Sequence, residues 1–267
     1  MPAGRIVAVA NQKGGVGKTT TAVNLSAAMA RLGLSALLLD FDPQANATSS
    51  VGVDPRQVER NVYHLLSGRV TAREVILPTA TSGLSLLPSG PDLAGAEVEL
   101  VNLPGRESCL KEALEGVERE YDVTLIDCPP SLSLLTVNAL VAASSGVLVP
   151  VQTEYLPLEG LSRLMETLEA VRLRFNRGMR VVGILMTMYD ARTNLSAEVV
   201  QEVRRYFPGL VFREAIPRSV RLSEAPSRGV SVFGHAPSSA GALSYALVAE
   251  ELLARLGVPA HRETQDA

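Results

Sequence analysis

The sequence predicts an α/β fold in a single domain, in which a mostly parallel β-sheet carries helices on both faces. Short apolar runs alternate with segments of helical spacing along nearly the whole chain. Several of these runs are apolar at consecutive positions, which is typical of strands that are buried on both sides. The chain has 267 residues, of which 46% are hydrophobic and 20% charged, and no linker divides it. One large core is therefore expected.

The first strand, loop and helix of the prediction form a recognisable unit. An apolar strand at 5–10 precedes the segment 11–20, Asn-Gln-Lys-Gly-Gly-Val-Gly-Lys-Thr-Thr, and a helix follows at 17–32 with Gly33 as its C-terminal cap. Glycines allow backbone N–H groups to turn towards a ligand, and a helix N-terminus adds partial positive charge at the same point. The order strand, glycine-rich loop, helix predicts a phosphate-binding loop.

Lysine usage supports this prediction. The chain contains 25 lysines and arginines, and only Lys13, Lys18 and Lys111 are lysines. Two of the three lie in the glycine-rich loop, which indicates that a compact ammonium group on a flexible stem is needed there. By its spacing, Lys18 can reach the β- and γ-phosphates of a nucleotide, and the Thr19 hydroxyl can ligate Mg²⁺.

The loop departs from the common phosphate-loop pattern, because Gln12 stands where that pattern has glycine and Lys13 follows it. It resembles the deviant Walker A motif of the ParA/MinD group of P-loop ATPases. This resemblance implies a P-loop NTPase-like fold, Mg²⁺-dependent hydrolysis of ATP to ADP and phosphate, and a homodimer that sandwiches two nucleotides. It also implies that Lys13 contacts the partner's nucleotide, while Lys18 acts within its own subunit. The loop residues that the resemblance assigns to ATP binding are Lys13, Gly14, Gly15, Val16, Gly17, Lys18, Thr19 and Thr20.

Two aspartates follow the second predicted strand. A continuous apolar run at 35–39 leads into Asp40-Phe41-Asp42-Pro43-Gln44, so Asp40 and Asp42 should point to the same side. Ligands of α/β sheets bind at the carboxyl ends of the strands. The resemblance to the group's D-x-D-P-Q element implies that Asp42 is catalytic and orients the attacking water, while Asp40 supports the magnesium shell.

A third aspartate ends the predicted strand 121–127. Four apolar or β-branched residues precede Asp127, and Pro129 and Pro130 stop the strand before a helix at 133–143. This arrangement resembles a Walker B element. Asp127 is therefore expected to hold Mg²⁺ through water, since Mg²⁺ keeps several of its waters in proteins.

The remaining predicted elements continue the alternation. They are a helical segment at 62–66, a strand at 84–87, helices at 94–103 and 107–118, a strand at 146–151, a helix at 158–175, a strand at 181–188, a helix at 197–207, a strand at 211–216 and a helix at 239–256. We expect an ATPase domain over 1–256 and a flexible polar tail over 257–267.

Two segments indicate the subfamily. Residues 188–194 and 216–226 closely resemble ParA/Soj-type partition ATPases, and the resemblance extends over nearly the full length. It implies ATP-dependent binding of non-specific double-stranded DNA, a ParB-type partner that stimulates slow hydrolysis, and a cytoplasmic protein associated with the nucleoid. It places three residues near the adenine, namely Thr187, Pro217 and Ser219, the last at a position where the family often has asparagine. The resemblance also implies that two arginines, Arg192 and Arg221, contact the DNA backbone.

Two alternatives remain within the same fold group. A MinD-like membrane ATPase needs a basic amphipathic C-terminal helix, whereas the tail 257–267 contains Pro259 and almost no apolar face. A nitrogenase-iron-protein-like reductase needs two cysteines that ligate a shared cluster, and Cys109 and Cys128 are the only cysteines. No apolar run approaches the ~20 residues that cross a bilayer, and no signal peptide precedes the first strand, so we expect no membrane contact.

Overall fold

The structure, a computed structural model, describes residues 4–154 and 158–258. Within these ranges the strands form one seven-stranded sheet in the order β3-β4-β2-β5-β1-β6-β7. Neighbouring strands are parallel except for β3 and β4, so the predicted fold class is confirmed. The strands are β1 (Arg5–Val9), β2 (Ala36–Asp40), β3 (Leu77–Pro78), β4 (Leu84–Leu87), β5 (Val123–Asp127), β6 (Gly146–Gln152) and β7 (Val181–Thr187).

Helices connect the strands and cover both faces of the sheet. They are α1 (Lys18–Arg31), α2 (Asn46–Ser50), α3 (Val62–Leu66), α4 (Ala72–Val75), α5 (Leu93–Leu100), α6 (Cys109–Ala113), α7 (Leu134–Ala142), α8 (Leu158–Arg174), α9 (Asn194–Tyr206), α10 (Val220–Glu224), α11 (Val232–His235) and α12 (Ala240–Leu256). Two 3₁₀ turns are present at Val117–Glu120 and Ala225–Arg228. In the described part of the chain, no helix has both the length and the apolar character needed to cross a bilayer.

Alternate residues of the strands serve two separate hydrophobic clusters. On β1, Ile6 and Ala8 pack with residues of α7, α8 and α9, while Val7 and Val9 pack with residues of α1 and α12. Both sets are buried, because side chains of a strand alternate between the two faces and both faces are covered. The consecutive apolar runs in the sequence follow from this double burial.

The predicted helix at 107–118 is wrong as a single element. The structure ends α6 at Ala113, and Gly116 has φ 89, which an α-helix does not accept. The chain resumes as the 3₁₀ turn Val117–Glu120. Of the predicted tail 257–267, residues 259–267 lie outside the described residues, and the predicted division into domain and tail stays a prediction.

The predicted strand at 211–216 does not form either. The segment follows the edge of β7, where the Phe212 N–H donates to the Ile184 carbonyl at 2.9 Å and the Ile216 N–H to the Met186 carbonyl at 2.8 Å. Between these two bonds the Arg213 N–H donates to the Glu251 carboxylate on α12 at 3.0 Å. The ladder is interrupted there, so the segment makes one isolated bridge to β7, between Val211 and Ile184.

Arg255 on α12 occupies the gap at this sheet edge. Its guanidinium donates to the carbonyls of Val182 at 2.9 Å, Leu210 at 2.8 Å and Val211 at 3.1 Å. It also lies 4.2 Å from the centre of the Phe212 ring. The side chain is 20% exposed, so these carbonyls gain their partners largely away from water.

We expect Arg255→Met to lower the free energy of unfolding by about 2–3 kcal/mol, because it keeps the apolar stem but removes a donor from the three carbonyls and the partner cation from Glu251. Urea denaturation measures the change. Arg174→Met is the matched control, since the Arg174 guanidinium lies over Phe175 at an exposed site. Equal losses in the two variants would mean that the edge carbonyls do not depend on Arg255.

Candidate nucleotide-binding site

The loop between β1 and α1 has the backbone that its glycines allow. Gly15 and Gly17 have φ 74 and φ 87, in the left-handed region, and Gly17 is the N-cap of α1. Gly14 and Gly15 are exposed, whereas Val16 is buried beneath them. The loop thus exposes its backbone at the N-terminus of a fourteen-residue helix, as a phosphate cradle requires.

Asn11 fixes the start of this loop, a role that the sequence analysis missed. Its side-chain amide donates to the Pro150 carbonyl of β6 at 2.7 Å, and its side-chain oxygen accepts the Lys13 N–H at 3.0 Å. One carboxamide therefore ties the loop to the neighbouring strand and shapes its first turn. A carboxamide directly after a buried strand was the available signal, because it can donate and accept at once.

The two loop lysines lie in opposite environments. Lys13 is exposed, whereas Lys18 is 7% exposed, with its Nζ 3.3 Å from the Lys13 carbonyl oxygen. Burial lowers the pKa of Lys18, and the nearby Asp127, Cys128 and Asp42 oppose that shift. Lys18 thus lies beneath the loop, close to Asp127 at the end of β5 and Asp42 just after β2.

Asp40 and Asp127 lie side by side, in register across β2 and β5. Asp40 is completely buried, and its carboxylate accepts the Thr48 N–H and hydroxyl, both at 2.7 Å, and the Asp42 N–H at 3.2 Å. Burial raises the pKa of Asp40 to about 6, and the hydrogen bonds from Thr48 oppose the rise. Thr48, on the short α2, is a second residue that the sequence analysis missed.

The Asp127 carboxylate is the unusual group of the site. Both of its oxygens are buried and lack a hydrogen-bond partner. Burial, and then the charge of Asp40, raise its pKa well above the ordinary value, while the nearby Thr19 hydroxyl opposes the rise. Among the described residues no cluster of three His, Cys, Asp or Glu is arranged to hold a metal by itself. Mg²⁺ is commonly held by one or two carboxylates together with phosphate oxygens, and an orphaned carboxylate beside Thr19 fits that ion.

Asp42 lies at the same end of the sheet and is 7% exposed. One of its carboxylate oxygens accepts the Gln44 N–H at 3.0 Å, and its carbonyl accepts the Ser89 hydroxyl at 2.8 Å. These bonds hold the turn after β2 and leave one carboxylate oxygen without a described bond. The predicted role of Asp42 towards water stays a prediction.

A pocket of about 270 Å³ opens beside the loop, between the ends of β7 and α12. It brings together the three residues predicted near adenine, Thr187, Pro217 and Ser219, with Gly17 and Thr20 of the loop. The Thr187 hydroxyl donates to the Val16 carbonyl at 2.9 Å, which joins the pocket to the loop. The volume is near the lower end for ligand pockets and suits a base better than a whole nucleotide. Further lining residues, which the sequence analysis missed, include Met188, Arg218, Leu222, Ser223, Pro226 and Tyr245.

Comparisons with known proteins agree with this geometry. A family model described as an AAA domain matches residues 4–181. The chain is 53% identical over 252 residues to the chromosome-partitioning ATPase Soj of Thermus thermophilus, covering 94% of this chain and 96% of the relative. It is 49% identical over 251 residues to the sporulation initiation inhibitor protein Soj of Bacillus subtilis, covering 94% and 99%. The chain belongs to the Soj/ParA family of chromosome-partitioning ATPases.

This membership confirms the predicted family and the predicted ATP hydrolase activity. Among solved structures, cobyrinic acid a,c-diamide synthase from Mycobacterium smegmatis with bound ADP and magnesium is 38% identical, with a TM-score of 0.83 and 94% of each chain covered. The structure with that name therefore has the same fold as this Soj/ParA chain. That structure holds ADP and magnesium, the kind of ligand that the loop and Asp127 of this chain fit.

In this Soj/ParA chain the two arginines predicted to bind DNA lie outside the pocket. Arg192 follows β7, and Arg221 lies on α10. Their segments are neighbours, because Tyr189 makes a parallel bridge with Pro217 and the Arg218 N–H donates to the Tyr189 carbonyl at 2.9 Å. The two arginines therefore lie on neighbouring segments, each a few residues from residues that line the pocket.

The cysteines give no support to the reductase alternative. Cys128 is completely buried, with its Sγ 3.8 Å from the Ile126 carbonyl oxygen, and burial raises the pKa of its thiol. Cys109 is partly exposed on α6 and packs against the hydrophobic core. A thiol that is enclosed by its own subunit cannot ligate a cluster shared with another subunit without a rearrangement of the core.

Proposed function

We propose that the chain is a Mg²⁺-dependent ATPase that dimerises on ATP, binds double-stranded DNA non-specifically as the dimer, and partitions a chromosome or plasmid with a ParB-type partner. The observation that carries this proposal is the difference in burial between the two loop lysines. Lys18 is buried under the loop, whereas Lys13 is exposed at its entrance. We assign Lys18 to the nucleotide of its own subunit and Lys13 to that of the partner.

Lys13 is available to a second subunit. In the described part of the chain its ammonium has no hydrogen bond or ion pair, although its N–H is fixed by Asn11 at 3.0 Å. A fixed backbone with a free cationic side chain suits a group that acts in trans, like an arginine finger. Hydrolysis then depends on dimerisation, because the charge that stabilises the transferring phosphoryl group comes from the partner.

Within one subunit each remaining residue has a defined task. Lys18 and the loop amides bind the phosphates, and Thr187, Pro217 and Ser219 surround the base. Thr19 and Asp127 would hold Mg²⁺, a cation that neutralises phosphate charge. Asp40, which is hydrogen-bonded by Thr48 and in register with Asp127, would support the magnesium shell. Asp42 orients the attacking water.

ATP control over DNA binding follows from the proposed dimer. Each subunit presents Arg192 and Arg221 on one surface, so a dimer contacts four phosphates and a monomer two. The slope of log affinity against log salt is then about −3.6 for the dimer and about half of that for the monomer. Such contacts carry no sequence information and would associate the protein with the nucleoid.

We expect Asp42→Ala with ATP to bind a random DNA duplex at least about tenfold more tightly than wild type with ADP, because dimerisation doubles the phosphate contacts. Size exclusion measures the dimer, and fluorescence anisotropy at several salt concentrations measures DNA affinity. Arg192→Ala and Arg221→Ala should weaken binding without affecting dimerisation. Arg172→Ala, on α8, is the control arginine. Equal DNA affinity of the locked dimer and the ADP form contradicts the proposal.

A further inference from the structure

Both arginines of the proposed DNA surface are already paired with carboxylates of the same chain. Arg192 makes a two-bond fork with Asp190, with Nε 2.9 Å from Oδ1 and Nη2 2.7 Å from Oδ2. The Arg192 side chain is 86% exposed and the Asp190 side chain 21% exposed, so the guanidinium is open to a ligand while the carboxylate is mostly covered. Asp190 Oδ1 also accepts the Arg192 N–H at 3.0 Å, which fixes the carboxylate next to the arginine that it holds.

The second arginine is held in a similar way. Arg221 Nη1 donates to Glu224 Oε2 at 2.9 Å, one turn away on α10. The same oxygen lies 3.1 Å from His235 Nε2 on α11, so Glu224 is kept in place from a second element. The Arg221 side chain is 58% exposed and accessible to a ligand.

We propose that Asp190 and Glu224 set the DNA affinity of this protein by competing with DNA phosphates for Arg192 and Arg221. This inference rests on the proposed DNA surface. A guanidinium has five N–H donors, so a phosphate that binds the donors left free meets a charge that the carboxylate already offsets. A phosphate that takes the donors in use displaces the carboxylate from two hydrogen bonds at Arg192 or from one at Arg221. The released carboxylate then remains beside the phosphate as a like charge, which weakens the contact further.

The position of the two pairs connects them to the nucleotide pocket. Asp190 lies two residues after the pocket residue Met188, and Arg221 lies two residues after Ser219. Hydrogen bonds from Arg192 lower the pKa of Asp190, and the charge of Arg218, which lines the pocket, adds to this effect. Weak contacts of this kind suit a protein that must leave DNA after each round of hydrolysis.

The test replaces each competing carboxylate with its neutral amide. We expect Asp190→Asn and Glu224→Gln each to raise the affinity of the ATP-bound Asp42→Ala dimer for random duplex DNA by about three- to tenfold. Asp190→Asn leaves the local turn intact, because the amide oxygen of the new side chain can still accept the Arg192 N–H. The two substitutions are independent, so either one gives a result if the other impairs folding.

Glu169→Gln is the matched control. Glu169 makes the same kind of fork with Arg172, at 2.7 and 2.6 Å, on the exposed surface of α8. It removes the same charge and releases an arginine away from the proposed surface, so it reports the effect of net charge alone. The DNA affinity of the Glu169→Gln variant should rise by less than about twofold.

Combined variants separate the possible failures. Arg192→Ala should cancel the gain of Asp190→Asn, and Arg221→Ala should cancel that of Glu224→Gln. If the arginine variants alone leave DNA affinity unchanged, the proposed DNA surface is wrong. If they weaken binding but the amide variants behave like Glu169→Gln, the surface stands and the competition by Asp190 and Glu224 is wrong.

Discussion

Lys18→Ala is expected to abolish ATP binding, with a loss of affinity of at least about a hundredfold. The Lys18 ammonium is buried under the loop and lies near Asp127 and Asp42. Removing it takes away the cation that faces the phosphates and leaves two carboxylates that repel them. Truncating one partner of a buried charge pair costs about 2–5 kcal/mol, which is consistent with that loss. Equilibrium titration with a fluorescent ATP analogue measures the affinity.

One further variant separates the charge of Lys18 from its packing, and a second serves as a control. Lys18→Met keeps most of the buried stem and loses the ammonium, so it should bind ATP as poorly as Lys18→Ala. Lys111→Ala removes the third lysine of the chain, which is exposed on α6, and should bind ATP like wild type. ATP binding by Lys18→Met within about threefold of wild type would show that the ammonium is not the phosphate ligand.

The sequence predicts the parts of the site that are contiguous in the chain. The glycine-rich loop and the aspartates after β2 and β5 each follow a buried strand, so local patterns place them. Parallel strands then bring these ends together, as the register of Asp40 with Asp127 demonstrates. The pocket residues Thr187, Pro217 and Ser219 were predicted from resemblance, and the structure places all three beside the loop.

Two of the contacts that were missed depend on how the chain folds back on itself. Thr48 bonds to Asp40 across a turn that includes Ala45 with φ 52, an angle that alanine seldom adopts. Thr21 and Tyr245 contact each other at 3.1 Å from positions 224 residues apart. Neither contact has a local signal in the sequence, so periodicity could not have revealed it.

The wrong strand at 211–216 has a similar cause. Val211, Phe212 and Ile216 are buried, so the apolar pattern reported burial correctly. What removes the strand is hydrogen bonding from α12, where Glu251 accepts the Arg213 N–H. Burial and ladder formation are separate properties, and the pattern reports only the first.

Lys13→Ala is expected to keep ATP binding within about threefold of wild type and to lower turnover by about a thousandfold, as for the loss of an arginine finger. Lys13 is exposed, and its ammonium has no partner in the described part of the chain, so its removal should leave the contacts proposed for Lys18 in place. Equilibrium titration with a fluorescent ATP analogue and single-turnover hydrolysis measure the two effects. Gln12→Ala, at the exposed neighbouring position, should behave like wild type.

A mixing experiment distinguishes action in trans from action in cis, because the two schemes assign Lys13 to different subunits. Lys13→Ala and Asp42→Ala are each expected to be inactive alone. In a mixed dimer, the site of the Lys13→Ala subunit has its own Asp42 and receives Lys13 from its neighbour, so one complete site forms and hydrolysis returns. If Lys13 serves only its own subunit, neither site is complete and the mixture stays inactive. An inactive mixture in which mixed dimers are detected would therefore contradict the trans role of Lys13.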